Sequence, residues 1–352
     1  MTDTERASTA RPAARPAVRW MARVTAVVVS VAFGAVAAEA LLRWHAQPVV
    51  NSTAVPPADV GGVPSIDGVF SLAVPNQRAN YLGVPYLTNS RGFRGPEFAL
   101  DKPADTFRIA MIGDSYTMGS GVRYEEAYPA VVEAALAADG FSKRIEVLNF
   151  GLSGLSLEGC VRLRLPMALE YHPDLLVYGF TVNDLEGPNY RSDSVWVRAP
   201  GRSHLLNLVR ERWNYVCEIF WPAESRYLRE LDDNYFHNPQ AWKEFTDGLD
   251  TVANAGREHG ACVVVFLNPQ VTMLTAEHPY LRYYAAAAEA ARERGMFVVE
   301  GFPPFLGKSE DELRCSSYDW HPNAKGHTLL AGALASGLRS LPADCLPRRP
   351  GK

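Results

Sequence analysis

The sequence predicts an α/β protein: a three-layer α/β/α sandwich on a parallel sheet of about five strands, with a helical insertion and an N-terminal transmembrane helix. Three observations carry this expectation. From residue 107 to 341, short apolar runs of strand length alternate with longer stretches of helical period. Most of these runs stop on glycine or small polar residues, as strands buried on both faces do. A nearly unbroken apolar stretch at 24–42 is bounded by Arg23 and Arg43, with Trp20 and Trp44 just outside.

Strands are expected at 107–112, 145–149, 175–180, 262–267 and 296–299, and helices at 125–138, 156–171, 283–294 and 323–341. Pro166 should kink the second helix, because it lacks an amide hydrogen and its ring crowds the preceding turn. Strand followed by helix in regular succession implies a parallel sheet covered on both faces. The alternation lapses at about 185–254, where Trp196, Trp213, Trp221, Trp242 and several tyrosines occur without a strand pattern. This interval reads as a helical insertion with its own small aromatic core; the functional alternative is a cap that stacks on sugar rings or acyl groups.

The N-terminal part divides into a basic arm (1–23), a signal-anchor span (24–42), a linker (43–66) rich in Pro, Gly and Val, and an extension (67–106) that packs on the α/β domain (107–345). The span matches the roughly 20 residues needed to cross a bilayer. Arg6, Arg11, Arg15, Arg19 and Arg23 all precede it, which keeps the N-terminus cytoplasmic and exports the rest. Cleavage of a signal peptide near "AVAA" at 35–38 is the competing reading and would release a secreted protein; the apolar run continues past it to Leu42, which favours an uncleaved anchor. Glu39 is tolerable in the span's last turn, where a carboxyl can reach water.

The 352 residues, 47% of them hydrophobic, supply one large core, and a net charge of -4 with no basic block beyond the N-terminus excludes a nucleic-acid binder. All five cysteines lie in the exported part, where disulfides persist, and an odd number leaves at least one unpaired. Cys262, inside "ACVVVFL", reads as a small core residue. Pairing among the others, Cys315 with Cys345 for example, is left open. No spacing resembles a zinc site, and neither metal nor cofactor is expected.

Ligands of open α/β sheets collect beyond the carboxyl ends of the strands. Four places qualify: Gly113-Asp114-Ser115 after the first strand, "NFGLSG" ending at Gly154 after the second, "TVNDL" with Asn183 after the third, and "YDWHPNAKGH" with Asp319 and His321 near the C-terminus. Together they supply what acyl transfer requires. A serine hydroxyl becomes a nucleophile when an imidazole takes its proton, and the imidazole needs a carboxylate to hold its tautomer; Ser115, His321 and Asp319 fill those roles. The developing oxyanion needs donors already aimed at it, here the amides of Ser115 and Gly154 and the side chain of Asn183. Asp114 and Asp184 read as turn braces, and His327, inside a helical pattern, as a packing residue. His172 and His278 each precede a proline in loops and have no nameable partner.

Ser115, Gly154, Asn183 and His321, in that order and each after its own element, resemble the SGNH hydrolases, also called the GDSL lipase and esterase family. The resemblance implies a flavodoxin-like sandwich, a Ser-His-Asp triad and esterase activity. "NSRGFRG" at 89–95 further resembles the segment that precedes the first strand in a bacterial membrane-anchored branch. Two positions depart from the family pattern. Thr181 stands where the third block has glycine, and Asp319-Trp320-His321 is DxH rather than DxxH, a spacing similar to that of alginate O-acetyltransferase relatives. The expected activity is therefore de-acylation of an ester-bearing small molecule, lipid or glycan of the cell envelope, with O-acyl transfer to an envelope polysaccharide as the alternative. A phosphate- or flavin-binding loop at "GDSYTMGSG" is the rival from another class, but it lacks a P-loop lysine and leaves Asn183 and His321 without a role. A non-catalytic protein that kept the fold is a third reading.

Overall fold

The computed structural model describes residues 16–45, 73–185, 203, 205–206, 208–209, 212–213, 216, 226–316 and 319–348. The chain falls into two units, one formed by Met1–Val49 with Ser192–Tyr215 and the other by Val50–Arg191 with Val216–Lys352. In the first, α1 (Pro16–His45) contains the apolar stretch Arg23–Trp44, which is exposed to its surroundings and by length and composition can cross a membrane. Glu39 pairs with Arg43 one turn on and accepts hydrogen bonds from the Ser203 hydroxyl (2.9 Å) and the Leu205 amide (2.8 Å). The expected blemish in the apolar helix is thus a fully engaged carboxylate. Trp213, also in this unit, is exposed. The linker from 46 to 66, Trp196, Trp221 and Cys217 lie outside the described residues.

In the second unit, the hairpin β1 (Arg78–Tyr81) and β2 (Val84–Leu87) precedes the central sheet. That sheet consists of β3 (Thr106–Gly113), β4 (Arg144–Asn149), β5 (Leu175–Phe180), β6 (Cys262–Leu267) and β7 (Phe297–Glu300), all parallel, in the order β4-β3-β5-β6-β7. Each coincides with a predicted strand to within one residue at either end. Because side chains alternate along a strand, β3 sends Ala110 and Ile112 into one core and Phe107, Ile109 and Met111 into the other. β4 is added on one side of β3, and β5, β6 and β7 on the other, so the strand order switches between β3 and β5, the point at which open parallel sheets bind ligands.

On the Ile109 face lie α3 (Tyr128–Ala137) and the C-terminal helix of the domain. On the Ile112 face, the predicted helix at 156–171 is three pieces: a turn at Leu157–Gly159, a π-turn at Cys160–Arg164 and a turn at Leu165–Leu169. Pro166 has no amide to continue an α-helical ladder, and the Leu165 amide bonds the Cys160 carbonyl instead.

The expected insertion differs in extent and in packing. Helix Pro239–His259 is the crossover from β5 to β6 and belongs to the sandwich, so the boundary at 254 falls inside a layer helix. Its N-cap is Asn238, whose side chain accepts the Ala241 amide. No separate aromatic core forms among the described residues. Tyr235 lies 4.9 Å from Tyr283, and Trp242 lies 5.6 Å from Phe245, so these rings extend the main core.

Cys262 corrects the sequence reading. It is disulfide-bonded to Cys345, with a Cα–Cα distance of 5.6 Å. As the first residue of β6 it stands where the strand enters the sheet, and the chain beyond the last helix returns to that end; residues 83 apart in sequence are brought together only by the complete fold. Cys160 and Cys315 are free.

Candidate active site

β3 stops at Gly113 because the chain there must pass close to its neighbours. A Cβ at that position would lie 2.2 Å from the Thr117 hydroxyl and 2.9 Å from the Gly179 carbonyl. Asp114 then caps the one-turn helix α2 (Ser115–Met118), its carboxylate accepting the Tyr116 amide at 2.9 Å. The corner leaves Ser115 at the first helical position, beyond the carboxyl end of β3.

His321 and Asp319 come from the small hairpin β8 (Arg314–Ser316) and β9 (Asp319–Pro322). Here the DxH spacing has a physical reason. Residues two apart on a strand share a face, so Asp319 and His321 can touch directly. The His321 Nδ1 lies 2.5 Å from Asp319 Oδ1, which also accepts the His321 backbone amide at 3.0 Å. On the other side of the ring, Nε2 lies 2.7 Å from the Ser115 hydroxyl. An Nδ1–H donating to Asp319 leaves Nε2 as the acceptor for the serine proton. Tyr116 packs against the imidazole, with ring centres 5.4 Å apart. Pro322 is the last residue of β9, and Asn323 caps the helix Ala324–Arg339 by accepting the Lys325 and Gly326 amides.

Electrostatics poise this pair. Burial acts against a charge on His321, but the hydrogen bond and charge of Asp319, with the charge of Asp114, outweigh it and raise the imidazole above its ordinary value. Burial likewise opposes ionisation of Asp319, and His321 more than compensates, holding that carboxyl below the ordinary range. Asp114 differs: burial dominates and pushes its carboxyl up, despite donors from Tyr116 and Thr181.

Asn183 lies in the turn Val182–Leu185 directly after β5, half-buried, and its side-chain amide has no partner among the described residues. That turn is anchored on every side. Asp184 accepts the Thr181 amide (2.8 Å) and the Tyr178 hydroxyl (2.5 Å), and the Tyr235 hydroxyl bonds the Val182 carbonyl at 3.0 Å. Thr181, the departure from the family glycine, donates its hydroxyl to Asp114 at 2.8 Å and so links the third block to the first. Gly154 has φ +80°, a left-handed conformation that favours glycine, and is exposed in the loop after β4.

The neighbouring histidines have other partners. His327 is fully buried, accepts the Tyr128 amide at Nδ1 (3.2 Å) and is pushed down to about 3, chiefly by burial, so it stays neutral. His278 stacks on Phe302 at 4.5 Å, and its Nδ1 lies 3.1 Å from the Met273 carbonyl. Among the described residues, no group of three or more His, Cys, Asp or Glu side chains is gathered that could hold a metal ion.

Sequence reasoning missed two contributors. Asn149, at the end of β4, donates to the Thr117 carbonyl (2.9 Å) and accepts the Gly151 amide (2.9 Å), joining the second block to the turn that carries Ser115. Arg94 reaches the same turn from the N-terminal extension. Its only sequence signal was membership of "NSRGFRG".

Residues 111–329 match the family model described as GDSL-like Lipase/Acylhydrolase family. No curated protein matches the chain. Among solved structures, TesA is similar at 16% identity, with 66% of this chain and 98% of that one covered and a TM-score of 0.42. CEX, a two-domain esterase active on acetylated mannans, shares 18% identity over 70% of this chain and 52% of its own length, with a TM-score of 0.44. A mutant of Axe2, an acetyl-xylooligosaccharide esterase from Geobacillus Stearmophilus, shares 17% identity over 66% of this chain and 93% of that one, with a TM-score of 0.41. The family match spans more than half of the chain and takes in every block from β3 to the hairpin of His321, so the protein belongs to the GDSL-like lipase/acylhydrolase (SGNH hydrolase) family and is a hydrolase acting on ester bonds.

Proposed function

We propose that this chain is a membrane-anchored, extracytoplasmic serine esterase that removes acyl groups from an ester of the cell envelope, with Ser115 as nucleophile, His321 as general base and Asp319 as its orienting carboxylate. The observation that carries this reading is the unbroken relay from Ser115 Oγ through His321 to Asp319, at 2.7 and 2.5 Å. As Oγ attacks the ester carbonyl, its proton passes to Nε2, and the imidazolium formed is stabilised by Asp319. The amides of Ser115 and Gly154 and the Asn183 side chain receive the oxyanion. Collapse of the intermediate expels the alcohol, which takes the proton from His321. Water, deprotonated by the same imidazole, then releases the acid and restores Ser115.

The test uses a fluorophosphonate probe and an activated acyl ester. The probe should label Ser115 alone, and free acid should be the main product even with millimolar oligosaccharide present. Acylated sugar forming faster than free acid would make the protein an O-acyltransferase. A wild-type chain that resists the probe would remove Ser115 from its role.

The anchoring part of the proposal rests on α1 and the arginines before it. The mature chain should retain its N-terminal arm, fractionate with membranes and resist extraction by high salt. A mature N-terminus near Ala38 in the soluble envelope fraction would establish a cleaved signal instead.

A further inference from the structure

A helix of one turn cannot hold its own shape in water. α2, which carries Ser115, is such a turn: the Gly119 amide meets the Ser115 and Tyr116 carbonyls and Asn149 meets that of Thr117, which leaves the Met118 carbonyl and those of the following loop to other donors. Its front end is tied by the Asp114 cap. Its back end is tied by Arg94, whose guanidinium, 2% exposed, donates to the carbonyls of Met118 (2.9 Å), Gly119 and Val122. These three carbonyls face a buried cation instead of water, and hydrogen bonds to a charged donor are among the stronger kind.

The segment that delivers Arg94 is built to stay in place. Asn89 folds it into a turn by accepting the amides of Arg91 and Phe93, both at 3.0 Å, and by donating to the Pro96 carbonyl at 3.1 Å. Phe93 anchors it, with its ring 4.7 Å from Phe150 in the main core. The fit against the following segment leaves no room for side chains at two glycines. A Cβ on Gly95 would lie 2.4 Å from the Tyr124 ring, and one on Gly119 would lie 2.5 Å from Ala127 and 3.1 Å from the Arg94 guanidinium. Tyr86, on β2, closes the arrangement beneath the guanidinium, 5.3 Å from it, and directs its hydroxyl at the Met118 sulfur.

We propose that Arg94 is a positioning residue for the esterase reaction: the N-terminal extension caps the nucleophile's turn from behind and thereby holds Ser115 Oγ in line with His321 Nε2. This rests on the reading of Ser115 as the nucleophile. Arg94 touches neither substrate nor reacting atoms. It acts through the backbone of α2, which is clamped between a buried carboxylate at one end and a buried guanidinium at the other. Lysine is a poor substitute, since one ammonium cannot reproduce a planar fork that meets three separate carbonyls.

The experiment compares Arg94→Met and Arg94→Lys in the full chain, measuring the rate of fluorophosphonate labelling at Ser115 and kcat and KM on a short-chain aryl ester. Loss of alignment on the scale of 1 Å costs about 10²-fold. The labelling rate and kcat of Arg94→Met should therefore fall together by about that factor while KM is little changed, with Arg94→Lys intermediate. Millimolar guanidinium should restore part of the Arg94→Met rate by refilling the vacated site. Arg91→Met, on the same loop, breaks a surface pair with Glu170 (2.6 Å) and should leave both rates unchanged. A folded Arg94→Met or Arg94→Lys chain that labels at the wild-type rate overturns the proposal. If neither variant folds, Arg94 supports the whole domain and the positioning role is withdrawn. Failure of the wild type to label counts against Ser115 itself, so the two readings fail separately.

Discussion

Replacing Ser115 or His321 with alanine removes nearly all turnover, a fall in kcat of roughly 10⁴ to 10⁶, and the double variant is little worse than either single one. The reason is that the hydroxyl and the imidazole, 2.7 Å apart, do one job: without the base the nucleophile keeps its proton, and without the nucleophile the base has no proton to take. Both substitutions leave the sheet and its two cores untouched, so circular dichroism should stay close to wild type, and the unfolding midpoint should be kept by Ser115→Ala and lowered by His321→Ala, which leaves Asp319 without its partner. Asn183→Ala provides the contrast. Losing one oxyanion donor costs roughly 10²- to 10³-fold in kcat with KM nearly unchanged. Steady-state kinetics on an aryl ester decides all of these, and substantial turnover in Ser115→Ala would refute the assignment.

Asp319→Asn is the second large effect, a loss of up to about 10⁴ in kcat, because an amide side chain can hold the ring by its backbone neighbour but no longer fixes the productive tautomer or stabilises the imidazolium. It also moves the pH profile in a defined direction. His321 must be neutral to act as base, so activity falls on acidification through its pKa. With Asp319 in place that pKa stands above the ordinary imidazole value, and the acid limb lies correspondingly high. Removing the carboxylate lowers it, so the limb of kcat/KM should move to lower pH even as the plateau drops. An unshifted limb would mean that Asp319 does not govern the imidazole. The pair also contributes to stability with opposite pH dependences. The raised histidine contributes below its unfolded pKa and loses that contribution as pH rises through its folded value, whereas the lowered carboxyl contributes above its unfolded pKa and loses it on acidification. Their joint contribution is therefore greatest between the ordinary carboxylate and imidazole values.

Much of the domain is written locally. β5 and β6 could be bounded from sequence alone because a fully buried parallel strand is a continuous apolar run that ends on polar or turn residues, and Leu175–Phe180 and Cys262–Leu267 are such runs. The blocks that carry Ser115, Gly154 and Asn183 are legible for the same reason, since they follow the apolar strands β3, β4 and β5 in turn. The helix at 239–259 is not bounded by its sequence, because it continues an aromatic-rich interval with no break in composition, although its apolar face packs on the sheet like those of its neighbours. In sequence Thr181 is only a departure from the family glycine in the third block. Only the 2.8 Å hydrogen bond to Asp114, 67 positions away, shows its hydroxyl in use.

By itself the sequence determined the α/β sandwich, the apolar N-terminal helix and the order along the chain of the blocks that hold Ser115, Gly154, Asn183 and the Asp319–His321 pair, because strand periodicity, span length and the order of motifs are properties of neighbours along the chain. The tertiary structure decided the rest. It brought His321 onto Ser115 across 206 positions, paired Cys262 with Cys345 at the sheet's entry, and set Arg94 behind the turn that holds Ser115. Each of these depends on distances between groups far apart in sequence. A guanidinium becomes a cap for distant carbonyls, and a strand cysteine becomes half of a disulfide, only once the whole sheet and its covering layers are assembled.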